Sequence, residues 1–127
     1  SHISYCFAEE LFPDMTVEEF ISKYKMRSAE SLQELATTIT EGEFDLVPLL
    51  SSSISNLSMG ERKFLSILLT IDKEAKFYIF DEPLANLHQN VASWLTAYLK
   101  ELSVNHLIIV IDHSREFDKI ADQIVEL

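Results

Sequence analysis

An α/β fold is predicted for this chain: a mostly helical first half, then β-α-β-α-β with parallel strands. Three observations predict it. Phe77-Tyr78-Ile79-Phe80 and Leu107-Ile108-Ile109-Val110-Ile111 are unbroken apolar runs of strand length. Runs without alternation mark strands covered on both faces, as in a parallel sheet. Between them Val91, Trp94, Leu95, Tyr98, Leu99 and Leu102 recur at helical spacing, the pattern of a crossover helix joining parallel neighbours.

The elements follow in order. Residues 2–7 read as a short strand ending in Cys6-Phe7, and Pro13-Asp14 breaks the chain after it. Thr16-Val17-Glu18-Glu19 is a capping box, and Val17, Phe20, Ile21 and Tyr24 extend it into a helix over 17–25. Leu32, Leu35, Ala36 and Ile39 mark a second helix that Gly42 ends. Residues 51–58, with five serines, form a polar connector. Ser58-Met59-Gly60-Glu61 is a second capping box, opening a helix whose apolar side carries Phe64, Leu65, Leu68, Leu69 and Ile71. Lys73-Glu74 marks a turn before the first apolar run, and His106 precedes the second. A short helix over 115–122 and a third strand over 123–127 complete the expectation.

Composition narrows the function. At 127 residues the chain is one domain or less, and 47% hydrophobic with 24% charged residues is too apolar for disorder. Ten Lys+Arg against 21 Asp+Glu give a net charge of −11, which argues against nucleic acid and anionic lipid as partners. No apolar run reaches the roughly 18 residues of a membrane span, and no secretory signal opens the chain. Cys6, the single cysteine, forms neither an internal disulfide nor a metal cluster. Glycine gives the sharpest exclusion. A phosphate-binding loop G-x-x-x-x-G-K-[ST] needs two closely spaced glycines and then Lys. Gly42 and Gly60 are far apart, and each is followed by Glu.

Ligands of such sheets gather at the carboxyl ends of the strands. Phe80 is followed there by Asp81-Glu82-Pro83, and Ile111 by Asp112-His113-Ser114. Of two adjacent carboxylates leaving a buried strand, one can hold a divalent cation or its waters while the next faces a reacting centre. A histidine at the neighbouring strand end can donate to a phosphate or carboxylate. The start of the helix after Ser58 offers unpaired N–H groups and the positive end of a helix dipole, a natural anion site.

The series Leu57-Ser58-Met59-Gly60-Glu61-Arg62, Phe77–Glu82, Leu84-Ala85-Asn86-Leu87-His88 and Ile111-Asp112-His113-Ser114 resembles the ATP-binding cassette (ABC) ATPases. Leu57–Arg62 is similar to their signature motif, Phe77–Glu82 to the Walker B strand with the catalytic Glu after it, and Leu84–His88 to the D-loop. His113 stands where the family has its switch histidine. Ala121-Asp122-Gln123-Ile124 is similar to the A-D-x-I segment just beyond, and Ile3-Ser4-Tyr5 and Leu11–Ile21 to the Q-loop region and the start of the helical subdomain. The resemblance covers essentially the whole chain, but only the C-terminal part of a cassette. The Walker A half is absent.

The resemblance implies three parts: a strand and Q-loop-like region over 1–12, a helical subdomain over 13–57, and over 58–127 the signature helix with the Walker B and switch-histidine part of the P-loop core. It implies that Asp81 binds Mg²⁺, directly or through water, that Glu82 is the general base, and that His113 contacts the γ-phosphate. Ser58, Gly60 and Glu61 would serve the ATP of an opposite subunit. The intact protein would then hydrolyse ATP in a head-to-tail dimer. It would act on the cytoplasmic side of a membrane, driving a permease through its helical subdomain. The chain alone, without a phosphate loop, is expected to be inactive and to self-associate through apolar surface left bare.

Four departures are visible: Met59 for a signature glycine, His88 for the D-loop Asp, Ala8 or Glu9 where the Q-loop Gln is expected, and Asp112 for the common Thr. Two alternatives follow. One is a non-transport relative of the OLD or recombination-repair type, which Leu87-His88 also resembles. The other is a degenerate, non-catalytic cassette acting as an interaction module.

Overall fold

The computed structural model describes residues 3–6, 15–24, 28–72 and 74–125, with the backbone alone described for 3–6 and 24. The elements are β1 (Ile3–Cys6), α1 (Val17–Tyr24), α2 (Ala29–Thr40), α3 (Met59–Asp72), β2 (Phe77–Asp81), α4 (Gln89–Leu102) and β3 (Leu107–Ile111). Short 3-10 turns at Val47–Leu49 and Ile54–Asn56 punctuate the link from α2 to α3. The Pro13-Asp14 break, the Ala8-Glu9 position and Lys73 lie outside the described residues.

Both predicted capping boxes form. Glu19 N donates to Thr16 Oγ1 at 3.1 Å, and the hydroxyl donates to Glu19 Oε1 at 3.1 Å. The serine-rich connector does more than bridge. Val17 N donates to Ser52 O and Glu18 N to Leu50 O, each at 3.0 Å, so the connector satisfies N–H groups that the first turn of α1 leaves without a partner. α2 ends through Glu41 at φ 54 and Gly42 at φ 85, and Gly42 N donates to Thr37 O at 3.1 Å.

The three strands lie in the order β1-β2-β3, all parallel, with Phe77 opposite both Ile3 and Leu107 and Asp81 opposite Ile111. β2 is therefore the inner strand, as its apolar run predicts. α3 runs through the core, and every residue from Lys63 to Asp72 is buried. Tyr78 and Phe80 of β2 bury together with Phe64, Leu68, Leu95 and Leu99 of α3 and α4. His106 is more than a turn residue: its Nδ1 lies 2.7 Å from Ala75 O, and its ring meets Tyr78 edge-on. Tyr98 packs half-buried against the same core, and burial, with Tyr78 and Glu101 nearby, raises its phenol pKa above the ordinary 10.0.

The apolar runs predict cover on both faces, but among the described residues it comes on one. Successive parallel strands added in one direction put their crossover helices on one face when each crossover has the usual hand. Tyr78 and Phe80 turn to that covered face. Phe77, Leu107, Ile109 and Ile111 turn away, and the three β3 residues stay 54%, 45% and 46% exposed. An apolar sheet face of this kind is complete only when something else packs on it.

Two expected elements do not form. Residues 116–120 are turns rather than part of a 115–122 helix. Arg115 is left-handed at φ 64, Ser114 Oγ donates to Asp112 Oδ2 at 2.6 Å, and Glu116 N donates back to Ser114 Oγ at 3.3 Å. These local bonds compete with helix nucleation, which is costly for so short a segment. Residues 123–125 enter no ladder. The third strand of the sheet is β1, from the other end of the chain. Residues 126 and 127 of the expected strand lie outside the described residues.

Candidate functional site

The polar residues at the ends of β2 and β3 are brought together. Parallel pairing in register puts Asp81 beside Ile111, so the residues that follow each leave the sheet at the same level. Glu82 N donates to Ile111 O at 2.8 Å, extending the ladder one residue past the strand. The Glu82 backbone then turns into the left-handed region at φ 50, which costs a non-glycine residue on the order of 1 kcal/mol and is characteristic of functional sites. That turn aims its carboxylate across to β3. Glu82 Oε1 accepts from His113 N at 3.2 Å and lies 3.4 Å from His113 Nε2. The Glu82 side chain is 25% exposed and the His113 side chain 90%, so the imidazole stands open to an incoming group with the carboxylate behind it. Asp81 sits half-buried at the strand end.

The start of α3 forms the second part. Glu61 N donates to Ser58 Oγ at 3.0 Å, and Ser58 N donates to Glu61 Oε1 at 2.9 Å. The Glu61 carboxylate is thus turned back onto the cap. The Met59 and Gly60 N–H groups are left as helix-terminal donors, and the Ser58 hydroxyl keeps its own proton to give. Ser58→Ala removes the cap and should destabilise the protein by about 1 kcal/mol in a urea titration. Met59 is exposed.

Two contacts tie these parts together. A Cβ added at Gly60 would lie 2.6 Å from Asn86 O, so the close approach that requires glycine here is to the loop after Glu82. Lys63 Nζ donates to Asp81 O at 2.9 Å. Asn86 lies in the Leu84–His88 stretch but is given no role there, and Lys63 ends the polar run Glu61-Arg62-Lys63, so nothing in its pattern sets it apart from a solvated helix start.

The donor set suits MgATP. Carboxylate oxygens at a strand end are hard ligands for Mg²⁺, which typically takes one or two of them and completes its shell with phosphate and water. Among the described residues no cluster of three or more His, Cys, Asp or Glu could hold a metal by itself.

Known proteins resemble this chain in sequence and in fold. A family model described as ABC transporter matches residues 1–85, more than half of the chain. The trehalose import ATP-binding protein SugC of Mycobacterium tuberculosis is 36% identical over 81 residues, covering 61% of this chain and 20% of that protein. The sn-glycerol-3-phosphate import ATP-binding protein UgpC of Cupriavidus necator is 30% identical over 94 residues, covering 72% of this chain and 26% of that one. A solved ATP-binding subunit of an ABC transporter superposes with a TM-score of 0.77 at 22% identity, over 95% of this chain and 52% of that subunit. The chain thus spans about a fifth to a quarter of the two import proteins and about half of the solved subunit. With its signature-like cap, inner strand and paired strand ends in the family's order, the chain belongs to the ABC transporter family.

Proposed function

We propose that this chain is the signature and Walker B part of an ATP-hydrolysing subunit, and that a nucleotide site is completed by polypeptide carrying the phosphate loop. The contact of Glu82 with His113 beside the inner strand carries this reading. It joins a general base and a phosphate-facing imidazole, from two strands, at the end of the sheet where ligands bind.

The residues divide the work. Asp81 holds Mg²⁺, directly or through water, and the ion supplies charge neutralisation at the phosphates. Glu82 accepts a proton from the attacking water. His113, open to solvent, donates to the γ-phosphate. Ser58 Oγ and the Gly60 N–H donate to the nucleotide of an opposite subunit in a head-to-tail dimer, with Glu61 fixing the cap that presents them. The helical stretch 13–57 faces a membrane permease, which places the assembly on the cytoplasmic side. Among the described residues no helix is long and apolar enough to cross a membrane itself.

One observation favours a second reading. His88 stands at the N-cap of α4 without a side-chain capping bond, so nothing in the helix explains the imidazole there. A non-transport ATPase of the OLD or recombination-repair type, which Leu87-His88 also resembles, would use the same strand ends with no permease. Co-purification of the intact protein with a membrane permease separates the two.

The test on the purified 127-residue chain has two arms. It should hydrolyse no ATP, and its bare β3 face should make it sediment above monomer, with Ile109→Lys shifting it toward monomer. Turnover by the chain alone contradicts the proposal that the site needs other polypeptide.

A further inference from the structure

We propose that Lys63 is a positioning residue, holding the Asp81–Glu82 peptide group in the orientation that aims Glu82 at His113. The inference rests on the reading of Glu82 as general base and assigns the side chain that keeps it in place.

The Asp81–Glu82 peptide is held at both polar ends. Its carbonyl accepts from Lys63 Nζ at 2.9 Å, from α3. Its N–H donates to Ile111 O at 2.8 Å, on β3. Beyond it the chain is at φ 50, outside the region that a glutamate prefers. Rotating this one peptide plane is the simplest way for Glu82 to leave the left-handed region, and the rotation breaks both bonds. Without a donor on the carbonyl side, the intrinsic preference of the backbone opposes the functional direction of the carboxylate.

The burial of Lys63 supports the assignment. It is 6% exposed in a helix whose following residues are all buried. A methionine or leucine would suit such a position better, because a buried ammonium costs free energy unless it is hydrogen-bonded. Gly60 lies one turn earlier on the same side of α3, against Asn86 O. The 60/63 edge of the helix is therefore laid along the loop from 81 to 86. One rigid unit then carries both the anion-binding helix start and the carboxylate pair, although the two would serve different nucleotides.

The experiment uses the full-length protein that contains this chain. Lys63→Met keeps the length and loses the donor; Lys63→Arg keeps a donor. Lys63→Met should lower kcat about tenfold or more, the weight of one charge-assisted hydrogen bond, with the KM for ATP nearly unchanged, and Lys63→Arg should restore most of kcat. In hydrogen exchange, the Glu82 amide should exchange about tenfold faster in Lys63→Met while the Tyr78 and Phe80 amides stay as protected as before. If Lys63→Met folds poorly, Lys63→Gln, too short to reach the carbonyl, should give the same two signatures. Unchanged Glu82 exchange, or exchange raised equally along all of β2, overturns the proposal. If the parent protein has no ATPase activity, the functional reading fails, and the exchange measurement still decides the role of Lys63.

Discussion

Glu82→Gln in the complete ATPase should remove turnover and leave ATP bound in a stable dimer. The amide is the same size as the carboxylate, and its oxygen can still accept from His113 N, so the 3.2 Å contact survives. What it cannot do is take the proton of an attacking water. Removing a positioned general base typically costs on the order of 10²–10⁴ in rate. Single-turnover assays with radiolabelled ATP, paired with gel filtration of the trapped complex, read both halves of the effect. No turnover in the wild type, and a Glu82→Gln protein indistinguishable from it, would instead favour a degenerate, non-catalytic module, the alternative that Met59, Ala8 and His88 motivate.

Gly60→Ala should destabilise the protein well beyond Gly42→Ala. The added Cβ would sit 2.6 Å from a backbone oxygen, well inside contact distance, and a backbone atom yields less readily than a flexible side chain. The Asn86 carbonyl belongs to a tight loop fixed by Ala85 N to Glu82 O and Leu87 N to Leu84 O, both 3.2 Å, with Asn86 itself left-handed at φ 65. Either α3 lifts or the loop deforms, at about 1–3 kcal/mol. Gly42→Ala is the control. Nothing lies within 4 Å of its Cβ, so its cost, on the order of 1 kcal/mol, comes from φ +85 alone. Urea midpoints compare the two stabilities. Amide chemical shifts over 82–87 should move for Gly60→Ala and stay fixed for Gly42→Ala.

The parts of the fold that sequence made legible are those fixed by local chemistry. Thr16–Glu19 and Ser58–Glu61 specify their own caps, and both form as bonded pairs. The runs at 77–80 and 107–111 predict buried, parallel strands, and both enter the parallel sheet; 77–80 is the inner strand, whereas among the described residues 107–111 is an edge strand with no fully buried residue. Where Glu82 and His113 sit relative to each other follows from those two strands being neighbours in register. The failures are long-range. Residues 115–127 carry plausible periodicity, yet 116–120 only turn and 123–125 find no partner strand, because sheet membership depends on what lies alongside and not on the segment itself. Apolarity on both sides of β3 predicts cover but not its source, and the described residues leave one side open. The roles of Lys63 and Asn86 are not legible in the sequence, because each lies in one contact to the other half of the site.

The claim that most needs a direct trial is the sharing of one nucleotide between two chains. A structure of the full-length Glu82→Gln protein with MgATP tests it. A single γ-phosphate touched by His113 of one chain and by Ser58 Oγ and the Gly60 N–H of the other is the expected result. A nucleotide contacted by Ser58 and His113 of the same chain, or by neither, would contradict it.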